Sequence, residues 1–278
     1  MEATQAMQAA RKLGNVRKID FLMARDRDFA PRPEGARYRY VLCSTPRCGS
    51  NLVGEMLHDT GLAGDPHEYL NQRYVAGFLR ERGTKDAAVN FKEYQTELET
   101  RRTSPNGVFG VKIHYEHLEA RWHDRMAQAV QYLRVYDKFV LLTRRDKVAQ
   151  AVSLHKARES QIWSSLDYKF LDADDPRRAV KPAFNAIRIA KALSDLVEQE
   201  TKWRQLIESQ KFPYVEVCYE DFVADYVGQS HRLLAELGID PAAAKVTAPG
   251  LKKQGAEDDP MIEQFKQLIG VEAKERAA

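Results

Sequence analysis

Tyr38-Arg39-Tyr40-Val41-Leu42-Cys43-Ser44-Thr45-Pro46-Arg47-Cys48-Gly49-Ser50-Asn51 reads as strand, turn and helix start in succession. Tyr40, Val41 and Leu42 form an apolar run rich in β-formers, which places a strand at Tyr38 to Ser44. Thr45 to Ser50 is the turn. Beyond it Leu52, Val53, Met56 and Leu57 share one helical face, and Gly61 stops the helix.

The same alternation continues outward. Val108 to Ile113 reads as a second strand, and Lys138 to Thr143 is the clearest buried one, followed at once by a helix through about Glu159. A long helix is expected near Ala179 to Ser209. Its core stripe is Phe184, Ile187, Leu193, Leu196, Val197, Trp203 and Leu206. Tyr214 to Cys218 is a fourth strand, and His231 to Leu237 lies in another helix. Strands alternating with helices argue an α/β fold with a central, mostly parallel sheet flanked by helices. Residues 1 to 36 are charged and Ala-rich with Pro31 and Pro33 near their end, and read as a helical extension and linker. Residues 37 to 278 then form one domain with a helical insertion at about 69 to 104. The tail after Ala248 is polar, and irregular until a last short helix.

The chain has 278 residues, enough for one large core. Lys and Arg exceed Asp and Glu by only three, so no general nucleic-acid or membrane coat is expected and any anion site is local. No run approaches the roughly 18 apolar residues of a membrane span. Met1 to Lys18 lacks the apolar block of a secretory signal. Cys43, Cys48 and Cys218 are an odd number at wide spacing, which suggests neither disulfides nor zinc. The cytoplasm is the default reading.

Two stretches could hold phosphate. The turn from Ser44 to Asn51 exposes backbone N–H groups at the positive end of a helix, with Ser50 and Asn51 as side-chain donors and Arg47 as a fixed charge. The loop pattern of nucleotide triphosphatases, GxxxxGK[ST], is absent, and no Lys follows the Gly. A plain strand-to-helix turn with Ser50 as N-cap is the alternative. The second stretch is Arg144-Arg145-Asp146-Lys147 with Ser153, directly after a central strand, where open α/β sheets bind ligands. Its alternative is a charged helix start capped by Asp146.

Together these stretches resemble the two phosphate sites of sulfotransferases that use 3′-phosphoadenosine 5′-phosphosulfate (PAPS). The closer resemblance is to the bacterial trehalose 2-sulfotransferase family, related to nodulation-factor sulfotransferases. It rests on Pro46 to Leu52, Gly64-Asp65-Pro66-His67-Glu68-Tyr69, Pro105 to Lys112, and Arg144 through Gln150-Ala151-Val152-Ser153 with Trp163. The resemblance implies a P-loop-like sulfotransferase fold and a sulfonate transferred to a carbohydrate or glycolipid hydroxyl. It also implies PAPS as donor without a metal, and suggests a homodimer. Arg47, Cys48, Gly49, Ser50 and Asn51 would hold the 5′-phosphosulfate, and Arg144 (or Arg145) with Ser153 the 3′-phosphate. Cys48 stands where Ser is usual, which would remove a hydroxyl donor, and Asn51 stands where Thr is usual.

By the same resemblance Glu68 occupies the general-base position. A carboxylate can take a proton from an alcohol if burial raises its pKa toward neutrality. The competing reading of Asp65-Pro66-His67-Glu68 is a capping box, with Asp65 as N-cap. Lys112 could stabilise the donor or be a solvated strand-end Lys. His114 and His155 are polar candidates for the acceptor. Trp163 could stack on a sugar or pack in the core. His67, Cys43 and Cys218 read as bystanders. Two rivals remain on the sequence: a nucleotide-dependent phosphotransferase, and a non-catalytic PAPS- or glycan-binding protein.

Overall fold

The computed structural model describes residues 16–83, 90–247 and 259–270. Four strands form one sheet: β1 (Tyr38–Ser44), β2 (Val108–His114), β3 (Lys138–Thr143) and β4 (Tyr214–Cys218). Their order is β2-β1-β3-β4, and every pairing is parallel. The expected strands therefore form, within a residue of the expected bounds. The helices are α1 (residues 16–23), α2 (Ser50–Asp59), α3 (Gln72–Glu81), α4 (Phe91–Arg102), α5 (Tyr115–Trp122), α6 (Met126–Leu133), α7 (Lys147–Ser160), α8 (Ala186–Gln210), α9 (Tyr219–Ala224), α10 (Tyr226–Glu236) and α11 (Pro260–Leu268). The expectations for residues 1–15 and for the tail from Ala248 to Asp258 lie outside the described residues.

The chain divides into two compact units. The larger comprises 16–145 and 199–247 of the described residues and contains the whole sheet. Side chains two apart on a strand share a face. Tyr40 and Leu42, Val140 and Leu142, and Val215 and Val217 thus face one core with Val53, Met56 and Leu57 of α2, Phe222 of α9 and Leu233 and Leu234 of α10. The smaller unit comprises 146–198 and 259–270. Ala149, Val152 and Leu154 of α7 pack there with Ile189, Ala192 and Leu196 of α8 and Ile262 and Phe265 of α11. Asp146 caps α7 as expected, accepting from the Ala149 N–H at 2.8 Å.

Helix α8 starts at Ala186, not near Ala179. Pro176 opens a 3₁₀ turn (Pro176–Ala179), and Pro182 has no N–H for a helical ladder. Asn185 then accepts from the Arg188 N–H at 3.0 Å and starts the helix. The expected stripe is also corrected. Ile187 and Val197 are 83% and 45% exposed, whereas Ile189, Ala192, Leu196, Trp203 and Ile207 are buried. The buried set keeps the spacing of one helical face once the start is moved.

Strand order reverses at β1. The chain leaves β1 for β2 on one side and later lays β3 and β4 on the other. In open parallel sheets, ligands bind outside the carboxyl ends of the strands at such a reversal. In this sheet that point lies between the loop after β1 and the loop after β3.

Candidate active site

The loop after β1 spends backbone strain. Arg47 lies at φ 66°, a left-handed conformation that costs a residue with a Cβ roughly 1–2 kcal/mol. Gly49 lies at φ 89° and is the N-cap of α2, so Ser50 is the first helical residue and not the cap. A Cβ at Gly49 would come within 2.4 Å of the Tyr219 ring, so the loop backbone lies against that ring. The Cys48 side chain is 2% exposed and points into the sheet core. The expected loss of a hydroxyl donor therefore does not arise, because the group at this position faces Val53 and Met56. Only the Cys48 backbone is left to meet a ligand.

Arg144, immediately after β3, donates from Nη1 to the Arg47 carbonyl at 3.2 Å. Its guanidinium sits over the Tyr219 ring, 4.9 Å from the centroid, with Glu220 Oε1 4.0 Å from its Nε. Two stretches almost a hundred residues apart thus meet at the reversal point. Arg145 turns away: it grips Asp221 through two bonds of 2.7 and 2.8 Å at an exposed position, and its backbone N–H donates to Glu220.

On the other side of the loop, β2 brings Lys112 and His114 level with Leu42 and Ser44 of β1. Lys112 is 2% exposed, which rules out the solvated strand-end reading. Its Nζ donates to Asn51 Oδ1 of α2 and lies 3.2 Å from Glu68 Oε1. His114 bonds the Ser44 hydroxyl through Nδ1 at 2.9 Å and places Nε2 3.5 Å from Glu68 Oε1. Asn71 donates to Glu68 Oε2 at 3.1 Å, and His117 Nε2 is 3.8 Å from the same oxygen.

Glu68 is not in a capping box. Residues 64–68 have no regular structure, and the next helix, α3, is capped by Asn71 at its own start. Asp65 is instead fully buried in an ionic cluster. Gly64 (φ 71°) makes this path possible, since a Cβ there would stand 3.0–3.1 Å from backbone atoms of Val108, Arg102 and Gly110. Burial alone would raise the Glu68 pKa, as the sequence suggested. Lys112 and His114 outweigh it and hold the carboxyl well below its ordinary range. Burial, with help from His114 and Lys112, pushes His117 down to about 4, so it is neutral. Its Nδ1 accepts from the His114 N–H at 3.3 Å, which leaves the proton on the nitrogen facing Glu68. Among the described residues no group of His, Cys, Asp or Glu could hold a metal ion.

A strand-to-helix turn flanked by Arg144 on one side and by a Lys112–Glu68 pair on the other is an arrangement open to more than one chemistry. Residues 39–267 match the family model described as Stf0 sulphotransferase. The chain belongs to the Stf0 sulphotransferase family. It is 26% identical over 260 residues to the trehalose 2-sulfotransferase of Mycobacterium tuberculosis, covering 82% of this chain and 94% of that one. The trehalose 2-sulfotransferase of Mycolicibacterium smegmatis is 25% identical over 262 residues, with the same coverage. More loosely, a crystal structure of a sulfotransferase from Alicyclobacillus acidocaldarius shares 14% identity at a TM-score of 0.44, over 86% of this chain and 98% of that one.

Within this Stf0 sulphotransferase, Arg47, Cys48, Gly49, Ser50, Asn51, Glu68, Lys112, His114 and Arg144 all lie along the carboxyl edge of the sheet in the larger unit. Ser153, His155 and Trp163 belong to the smaller unit. There His155 Nε2 bonds the Ala183 carbonyl at 2.8 Å, and Trp163 packs against the α7–α8 core. The sequence reading missed His117, Asn71 and Tyr219. His117 had a usable signal in its spacing of three from His114 at a helix start. Tyr219 and Asn71 had none, because each earns its place only through a contact distant in sequence.

Proposed function

We propose that the protein transfers sulfonate from PAPS to a carbohydrate hydroxyl. The observation that carries this is the junction of Arg144 with the Arg47 loop, next to a buried, ionised Glu68, on one edge of the sheet. The donor's phosphosulfate and 3′-phosphate are anions, and Arg47, Lys112 and Arg144 offer three cations on three strand ends. The α2 N-terminus, bared by Gly49, adds N–H groups. These donors suit the group. When bound, PAPS supplies an activated sulfonate and a phosphate leaving group.

The remaining chemistry belongs to the chain. Glu68 is in the form that accepts a proton from an acceptor hydroxyl, and Asn71, His114 and Lys112 fix its position. With a sulfonate donor bound at this turn, Arg47 and the loop N–H groups would meet the negative charge that grows on the sulfonate and the leaving oxygen, and would favour the transition state over the ground state. Arg144 braces the loop through the Arg47 carbonyl and is the proposed reader of the 3′-phosphate. The names of the two mycobacterial relatives support a sugar acceptor, and a saccharide or glycolipid is the acceptor class proposed for this chain.

Incubation with labelled PAPS and a panel of sugars and glycolipids that includes trehalose, read by mass spectrometry, tests the proposal. A sulfated sugar is expected. Arg47→Ala should lower its rate about 10²–10³-fold. Transfer of phosphate from ATP with Mg²⁺, with no sulfated product, would overturn the reading.

A further inference from the structure

Asp65 lies three residues before Glu68 and is 0% exposed, yet the reaction has no use for it directly. Its Oδ1 takes the Arg27 Nη2 at 2.7 Å and stands 3.0 Å from His58 Nδ1 and 3.2 Å from His67 Nε2. Its Oδ2 takes the Arg27 Nε at 3.3 Å and the Arg102 Nη1. Arg102, also 0% exposed, donates from Nη2 to the Ala24 carbonyl at 3.1 Å, and its Nε lies 3.0 Å from Asp28. Four separate pieces of chain therefore meet on one carboxylate: the segment before β1, the end of α2, the end of α4 and the loop that carries Glu68.

Asp65 is the buried anchor of that loop, beside the contacts that Asn71, Lys112 and His114 make with Glu68 itself. The loop has no regular structure from 64 to 68. Its backbone ties include the Lys112 N–H to the His67 carbonyl at 2.9 Å, the Asn71 N–H to the Glu68 carbonyl at 2.8 Å and the Tyr69 hydroxyl to the Asp65 carbonyl at 2.5 Å. A buried carboxylate without partners is costly, and one with two arginines is held in a single place. The segment before β1 is itself seated, since Ile19, Leu22 and Met23 are buried and Ile19 fills the space left by Gly77.

We propose that Asp65 and Arg27 are positioning residues for Glu68, and that the segment before β1 is thereby a working part of the active site. The proposal deepens the reading of Glu68 as the base and rests on it. Misplacing a catalytic group by about 1 Å costs on the order of 10² in rate, whereas a donor site built on the β1 and β3 loops keeps its affinity.

The test compares Arg27→Met, Glu68→Gln and the double variant in the full chain, each checked for folding by thermal melting. Turnover of labelled PAPS is measured together with the affinity for adenosine 3′,5′-bisphosphate by calorimetry. Arg27→Met should lower kcat about tenfold to a hundredfold with nucleotide affinity unchanged. In the double variant it should add nothing to the loss caused by Glu68→Gln. Should Arg27→Met fail to fold, the same measurements are made on Arg27→Lys, which keeps the charge and loses the two-nitrogen grip. Wild-type kcat in the folded Arg27 variant, with Glu68→Gln inactive, overturns the positioning role and leaves the base standing. Normal turnover by Glu68→Gln overturns the base, and this proposal with it.

Discussion

Lys112 and Glu68 form a buried pair whose worth can be measured. At 3.2 Å, two unit charges in an effective dielectric of about 20 attract by roughly 5 kcal/mol. Part of that is offset by desolvation of both groups. Asn51 keeps a bond to Lys112, and Asn71 and His114 keep theirs to Glu68, so neither partner is orphaned when the other is removed. Glu68 also retains 14% side-chain exposure. We therefore expect a coupling of about 2–3 kcal/mol in the cycle of Lys112→Met, Glu68→Gln and the double variant. Lys112→Met alone should be the worst of the three, at about 3 kcal/mol, because it leaves an anion behind. Urea unfolding at pH 7 with a common m-value reads all four proteins. A coupling below about 0.5 kcal/mol would mean that the pair does not hold Glu68 ionised, and the account of the site's electrostatics would fail.

Cys48→Ser should lower stability by about 1–3 kcal/mol, since it puts a hydroxyl into an apolar core, and leave affinity for adenosine 3′,5′-bisphosphate unchanged; tighter binding would show that the side chain reaches the ligand. Arg144→Ala should weaken that affinity by calorimetry, and Arg145→Ala, whose charge is spent on Asp221 at the surface, should not; the reverse order would exchange their roles. Stability should fall on acidification. His117 stays neutral in the fold to about 4 and His67 is also held below the ordinary 6.5, so the unfolded chain binds more protons and stability drops as pH falls from about 6.5. Buried Asp65 and Glu68, held low by their cations, add stability that is present above the ordinary carboxylate range and is lost as pH falls through it. Urea midpoints at pH 7, 6 and 5 measure the histidine part and midpoints at pH 4 and 3 the carboxylate part, and a flat profile would refute the account.

The four strands and the helices that follow β1 and β3 were legible because they depend on local pattern. An apolar run bounded by turn residues makes a strand wherever the core lies. Helix α8 starts later than its apolar residues suggest because Pro176 and Pro182 break the helical path before Asn185. The competing capping-box reading of the Glu68 segment fails for the opposite reason. Asp-Pro-x-Glu is a good local helix start, and the buried charges of Arg27 and Arg102 overrode it.

The sequence by itself determined the α/β architecture, the strand-to-helix turn after β1 and the family, since each is carried by contiguous residues or by motifs in a fixed order. Only the tertiary structure decided that Cys48 faces the core, that Arg144 and not Arg145 meets the loop, and that Glu68 is ionised. The physical reason is the same in all three. Which way a side chain points and what charge it bears depend on neighbours brought from elsewhere in the chain, and a linear pattern does not contain them.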